Sequence, residues 1–552
     1  MASNRKTESA FLVQGSILAI ASMISRIIGL IYRIPLTAIF GDHGSDYYGA
    51  AMEVYSILLL ISSYSLPLAV SKLVSTRMAM RERKNAFRIF KGALLFAIVT
   101  GTLAGLIVYF GAREITVYLK TPLSVFALQV LAPTLLIVAI LGVIRGFFQG
   151  MGTMMPSAIS QLLEQIINAV VSIWMAVMLF GYGKRIGAVL GNPDSYAQAY
   201  GAAGGTIGTG AGAMIALLFM LVVFLIYRPG FKKRIRQEQN FHGENTHTES
   251  YATVFKVLLF TIVPVLLSTT VYNISNIIDM GVFKHLAARQ GYEEVTYSGM
   301  WGIFSMKYRT LVNVPIAIAS ALAASSVPSI ATAFAESDMR MVRRKIHVAM
   351  RYIMIVSLPC AVGIGVLASP ILQLLFHDGR ILPARLIQAG AISIVFYSIS
   401  TLSNAVLQGL NRMKVPVTHA VFSLIAHVVL LVGLMLVADL NIYAVVLANT
   451  FFSLLMCFLN GRSIKKYARY RQEIPRTFVI PAISSLFMGG GVYGVYHLLM
   501  KLTQMGGISE RLLSALATGL SIVLGMVIYF FFMILLRGLS ESDLRSFPLG
   551  GY

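Results

Sequence analysis

At 552 residues, 57% hydrophobic and only 12% charged, the chain lies far from soluble domains, where about a quarter of residues are charged. A net charge of +23 would suit a nucleic-acid binder, but 25 of the 45 Lys and Arg residues fall at the termini and in every second connection between apolar blocks, against 8 in the alternate connections and 12 inside the blocks. That asymmetry is a membrane-topology signal: it places both termini and the basic loops in the cytoplasm and argues against a nucleic-acid partner.

The apolar blocks, such as 478–499 and 512–536, match the roughly 20 residues that cross about 30 Å of hydrocarbon. They predict an all-α polytopic membrane protein of about fourteen spans, at 11–40, 47–76, 90–110, 124–148, 155–181, 204–227, 254–283, 297–328, 348–373, 385–408, 416–438, 440–460, 477–500 and 511–537. The polar start, 1–9, leads into an apolar stretch too long for a cleavable signal peptide, which makes that stretch the first span. Cys360 and Cys457 lie inside apolar runs and read as small hydrophobes with no disulfide framework.

Span 1 carries Ser22, Arg26, Gly29 and Arg33 at i, i+4, i+7 and i+11, which at about 3.6 residues per turn puts both guanidiniums on one face. A charge at mid-span costs about 2.5–3.5 kcal/mol on insertion scales and needs a compensating role. The competing reading is a pair of arginines salt-bridged to neighbouring helices for packing alone. Lys72, near the cytoplasmic end of span 2, is either a ligand or a snorkelling side chain. Arg145 at the inner end of span 4 reads as an interfacial anchor. Span 5 has a broad polar face of Ser157, Gln161, Glu164, Gln165, Asn168 and Ser172, on which Glu164 either balances an arginine or carries a proton. The stretch 201–212 is Gly-rich but lacks the Lys-Ser/Thr ending of a phosphate-cradling loop, so close helix packing or a flexible connection explains it better.

Span 7 aligns Asn273, Asn276 and Asp279, oxygen ligands suited to a hard cation such as Na⁺, with Asp279 close to the outer surface. Span 8 has a second polar stripe of Ser298, Gly302, Ser305, Arg309, Asn313 and Ser320, while Lys307 lies about 200° around the helix and faces elsewhere. In span 11, His419, Ser423 and His427 have no acidic or Cys partner nearby and read as packing or cavity-lining groups, not as a metal site.

The chain also repeats itself. Residues 64–71 (YSLPLAVS) resemble 312–319 (VNVPIAIA), 248 positions later, and Phe148-Gln149-Gly150 with Met154 and Pro156 resembles Leu407-Gln408-Gly409 with Met413 and Pro416. The organisation expected is an N-lobe of spans 1–6 (1–227), a polar cytoplasmic linker (228–253), a C-lobe of spans 7–12 (254–460) and an added pair, spans 13 and 14, with a C-terminal tail (461–552). Parallel repeats of this kind place a substrate site between the halves near the midplane. Arg26, Arg33 and Arg309 are then expected to converge there. Guanidinium forks match phosphate oxygens in pairs, so a diphosphate is the natural cargo; an organic-cation carrier would want carboxylates instead. No GxSxG, HExxH or P-loop pattern is present, and no enzyme activity is expected.

Residues 25–33 (SRIIGLIYR), Pro67 to Lys72 and Arg309-Thr310-Leu311 through Pro315, with the doubled Gln-Gly…Pro motif, resemble the multidrug/oligosaccharidyl-lipid/polysaccharide exporter superfamily, and within it the MurJ-like lipid II flippases of the SpoVB/YtgP branch. The resemblance covers essentially the whole chain. It implies an alternating-access flippase of a bacterial cytoplasmic membrane, translocating an undecaprenyl-diphosphate-linked peptidoglycan precursor; a monomer is expected. It also implies that Arg26, Arg33 and Arg309, with Lys72 where the family has Arg, hold the head-group diphosphate; from their own polar faces, Asn313 and Glu164 are added as candidate substrate-binding residues. Spans 13 and 14 would form a groove for the polyprenyl tail. Flippases for other lipid-linked glycans (capsule, teichoic or spore) and, further off, drug or cation antiporters share the superfamily. This chain departs from the family pattern in the spacing of its span 1 arginines, in Ile34 where an acid follows the second of them, and in having no acid in span 11 for the family's sodium site. No cofactor is implied, and Na⁺, protons and membrane potential stand as candidate driving forces.

Overall fold

A computed structural model describes residues 17–18, 20–60, 66–242, 249–503 and 510–538. Among the described residues there is no strand, and eleven helices are long and apolar enough to cross a membrane, or twelve counting one bent pair. The protein is therefore a multi-pass membrane protein. Two expected spans are missing from that count. Span 47–76 is interrupted by residues 61–65, which lie outside the described ones, and span 254–283 falls within a longer helix of which Tyr251–Ile262 is the apolar part counted.

The chain divides into two compact units, Met1–Gly302 and Ile303–Tyr552. Unit 1 comprises α1 (20–31), α2 (Arg33–Leu59), α3 (Leu66–Ala79), α4 (Arg83–Tyr118), α5 (Val125–Gly150), α6 (Met155–Leu190), α7 (Pro193–His242), α8 (Tyr251–Arg289) and α9 (Glu294–Gly302). The polar linker expected from 228 begins as helix, since α7 continues to His242.

Small residues let these helices approach one another closely, as membrane packing requires. Along α7, Gly204, Gly208 and Gly212 lie against the backbone of α6 at Met175, Ser172 and Glu164, leaving no room for a side chain. The Gly-rich stretch is thus a packing face inside a helix, and the expected connection ahead of span 6 is absent because α7 already starts at Pro193. Gly146 and Gly150 on α5 do the same against Pro67 and Ser71 of α3, so the two sequence motifs of the first half touch each other. Around this contact Val70, Phe90, Phe147, Met220, Phe231 and Leu258 form the unit's core, with the Phe90 and Phe147 rings 4.7 Å apart.

Unit 2 opens with a π turn at Ile303–Tyr308 and continues with α10 (Arg309–Ala335), α11 (Met339–Val366), α12 (Ala368–Phe376), α13 (Ile381–Gly390), α14 (Ser393–Gly409), α15 (Lys414–Leu436), α16 (Ile442–Ala468), α17 (Ile480–Thr503) and α18 (Glu510–Leu535). Expected span 10 is the pair α13 and α14, bent by 41°. Gly409, in the second copy of the Gln-Gly motif, packs on Val327 and Ile330 of α10. The main core gathers Ile330, Ile346, Ile353, Leu402, Val406 and Ile464. A smaller one of Ile355, Met488, Val492, Tyr529 and Met533 holds α17 and α18 to α11, reinforced where Tyr529 donates to the Ile355 carbonyl at 2.9 Å.

Candidate functional site

The polar face read from span 5 exists, and α1 lies along it. Ser22 Oγ donates to Gln161 Oε1 at 2.9 Å, and a Cβ on Gly29 would stand 3.4 Å from Gln165 Oε1. Further along, the Tyr32 and Tyr48 hydroxyls meet at 3.1 Å, and Ser172 Oγ donates to the Gly205 carbonyl at 2.7 Å. Arg26 lies on α1, and Arg33, just past its end, opens α2 within the same long apolar span. Among the described residues neither guanidinium has a hydrogen-bond or carboxylate partner; Arg26 is exposed and Arg33 half-buried, with its Nε buried and unsatisfied. The competing reading, arginines salt-bridged to neighbouring helices for packing, finds no partner among the described residues. Lys72 on α3 is exposed and likewise has no acidic partner there.

Two further cations of unit 1, Arg145 and Lys284, are neutralised. Arg145, expected at the interface as an anchor, instead donates through Nε to Ser160 Oγ and through Nη2 to Glu164 Oε2, both at 2.8 Å. Glu164 is thereby the counter-ion of Arg145. The sequence reading missed a deeper pair altogether. Lys284 Nζ donates to Asp46 Oδ1 at 2.5 Å and Ser298 Oγ to Asp46 Oδ2 at 2.7 Å, with Lys284 and Asp46 side chains wholly inaccessible. Positions 41–46 were expected to form a connection between spans. Gly41 instead takes φ +66°, which breaks the helix axis without ending the helix, and Asp46 is carried inside. Two glycines of α9 complete the cluster: Gly299 lies on the His43 ring and Gly302 on the Asp42 carbonyl, and this close approach brings Ser298 within reach. An acid and a lysine flanking apolar runs were the available signal, but each sat where a loop was expected.

In unit 2, Arg309 opens α10 half-buried, and Asn313, one turn on, is exposed. The continuous stripe expected from Ser298 to Ser320 is broken by the π turn, whose six residues are all buried. Lys307, in the π turn, pairs with Asp378 at 2.6 Å. The three candidate ion ligands on α8 do not share one environment: Asn273 is exposed, Asn276 half-buried and Asp279 fully buried. His419 meets Asn460 Oδ1 at 2.8 Å, and Asn460 Nδ2 donates to Ser403 and Asn404, a packing network of the kind expected there. Among the described residues no group of three or more His, Cys, Asp or Glu could hold a metal ion.

Residues 12–334 match the family model described as polysaccharide biosynthesis protein, and residues 264–433 match the MatE model. The lipid II flippase MurJ of Bacillus subtilis (strain 168) is 26% identical over 87% of this chain and 87% of its own length. Stage V sporulation protein B of the same organism is 24% identical over 99% of both chains. Among solved structures, lipid II flippase MurJ in an inward closed conformation matches with a TM-score of 0.65, at 15% identity over 94% of this chain and 98% of that one. An inward-facing multidrug resistance MATE family transporter of the MOP superfamily also gives 0.65, at 15% identity over 83% of this chain and 99% of that one.

Proposed function

Because the chain belongs to the polysaccharide biosynthesis protein family, we propose that it is a flippase that moves a lipid-linked sugar diphosphate across the bacterial cytoplasmic membrane, and that its cargo is lipid II. The observation that carries the reading is the pair Arg26 and Arg33. The two guanidiniums lie in one long apolar span, at a spacing that suits one helical face, and, among the described residues, have no acid. Such charges are tolerated at depth only where water or a ligand reaches them, and a diphosphate supplies the paired oxygens that the surrounding side chains do not. Gln161 and Gln165 flank this pair on the α6 face; Lys72 on α3 in unit 1, and Arg309 and Asn313 on α10 in unit 2, would be further head-group ligands. Glu164 balances the charge of Arg145 and so is set aside as a direct ligand.

Homology to a lipid II flippase and to a sporulation protein supports a lipid-linked oligosaccharide as cargo. Arg26 and Arg33 argue against an organic cation, which would call for carboxylates. The proposed topology has both termini in the cytoplasm, and transport proceeds by alternating access without covalent chemistry. The test is the amount of lipid II exposed on the outer leaflet of cells whose only flippase is this protein, before and after its depletion. A fall in exposed lipid II with accumulation on the inner leaflet is expected. Unchanged exposure rejects lipid II and points to another anionic lipid-linked glycan; unchanged transport in both Arg26→Ala and Arg309→Ala rejects the arginine site.

A further inference from the structure

Where unit 2 begins, the chain leaves α-helical register. Ile303–Tyr308 form a single π turn, and neither Pro nor Gly lies within it to force the change. A π turn is rare and widens the helix at the expense of packing, so something outside it must hold it open. Two consecutive side chains of the turn are gripped. Lys307 Nζ donates to Asp378 Oδ2 at 2.6 Å, with both side chains 5% accessible. The Tyr308 hydroxyl lies 3.3 Å from Ser393 Oγ, and its ring occupies the space that a side chain at Gly390 would fill. Asp378 lies just before α13, Gly390 ends it and Ser393 opens α14, so both grips come from the two ends of one short helix, in the pair bent by 41°.

Asp378 is built to stay ionised. Burial alone would raise its pKa, but hydrogen bonds from Arg380 and Lys307 hold it well below the usual carboxylate range. Arg380 donates to it through Nε at 2.9 Å, through Nη2 at 2.6 Å and through its backbone N–H at 3.1 Å. The result is a fixed anion at one end of α13 and a fixed hydroxyl and glycine gap at the other. Successive residues of a helix point about 100° apart, so holding Lys307 and Tyr308 on this surface determines where the next residue, Arg309, is aimed. Arg309 emerges half-buried between Tyr308 and Thr310, which are both buried.

We propose that α13 is a positioning clamp: the Lys307–Asp378 ion pair and the Tyr308 contact with Gly390 and Ser393 hold the π turn open and thereby aim the Arg309 guanidinium at an anionic ligand. The inference rests on the proposed role of Arg309 for its purpose, but not for its geometry. Asp378, Lys307 and Tyr308 act through Arg309 and touch no cargo. Without the clamp the turn closes to ordinary α-helix and rotates the start of α10 by one residue's worth of azimuth.

The test reads that rotation directly, with no cargo present. Cys360 and Cys457 are replaced by Ala, and single cysteines are placed at 309 and at 310 in the full chain. Their labelling by a charged methanethiosulfonate is then timed. Position 309 is expected to react faster than 310 in the otherwise native chain. In the Asp378→Asn background the order of the two rates is expected to invert, and Asp378→Glu is expected to restore it. The double variant Lys307→Met/Asp378→Leu keeps the site packed while removing both charges, and inversion is expected there too. Unchanged order in both the Asn and the double variant, each shown folded by thermal melting, overturns the clamp. So does a native chain in which 310 reacts faster than 309. A flippase of different cargo leaves this result untouched, so failure of the clamp and failure of the lipid II reading are distinguishable.

Discussion

Two sets of cations in unit 1 solve the same problem in opposite ways. Lys284 is taken out of water entirely and given Asp46, which in turn takes a second bond from Ser298. Arg26 on α1 and Arg33 at the start of α2 sit in one long apolar span, yet among the described residues no acid faces them, and Arg26 stays exposed. A buried charge without a partner is too costly to keep, whereas a paired one can be held in the dry interior. Under the proposed function, the difference teaches that the first set serves structure and the second is left open for an incoming ligand. Arg145, with Glu164 and Ser160, belongs to the structural set even though it lies beside the open stripe.

The comparison can be broken most forcefully at Asp46. Replacing it with Ala strands Lys284, and a cost of about 3–5 kcal/mol in folding stability is expected, read as a large drop in the melting temperature of the purified protein. The double change Asp46→Leu/Lys284→Met should recover most of that loss, because a well-packed apolar pair replaces the ions. Recovery failing to appear would mean that the cluster does more than hold α2, α8 and α9 together.

Arg26→Ala reverses the pattern of readouts. With no partner to orphan among the described residues, it should leave the melting temperature nearly unchanged, while transport falls about 10- to 100-fold, as the loss of a charge-assisted bond worth about 1.5–3 kcal/mol implies. A reconstituted flipping assay beside a thermal melt checks both halves. Glu164→Gln should lie between the two sets. It keeps a hydrogen-bonding amide opposite Arg145 but removes the counter-charge, and about 1–2 kcal/mol of stability should go with it, by thermal melt. Lys72→Gln is the mildest, within about 0.5 kcal/mol in stability as for an exposed side chain clear of any network. If transport also changes by less than threefold (on the order of 0.6 kcal/mol), Lys72 is a snorkelling side chain and the open set is confined to arginines.

Much of this molecule is legible in its residues. The long uncharged blocks, the basic bias of alternate loops and the stripe Ser22–Arg26–Gly29–Arg33 all follow from local periodicity. So does the polar face of α6, because a helix places residues on a face by spacing alone. The breaks were harder to read. Gly41 looked like the end of a span, since glycine punctuates loops more often than it kinks a continuing helix, and the error hid Asp46. The π turn left no mark in its own six residues, because the groups that hold it open lie 71 and 85 positions downstream.

By itself, then, the sequence determined that the protein crosses a membrane many times and which side chains share a face where the helix stays regular, as on α6, both properties of neighbours along the chain. Only the tertiary structure decided which charges are neutralised and which stay open. Asp46 meets Lys284 across 238 residues, and no spacing rule reaches that far. Partnership between ions in a low-dielectric interior depends on which helices touch, on the glycines that let them touch, and on the single kinked residue that turns a presumed loop into a buried anchor.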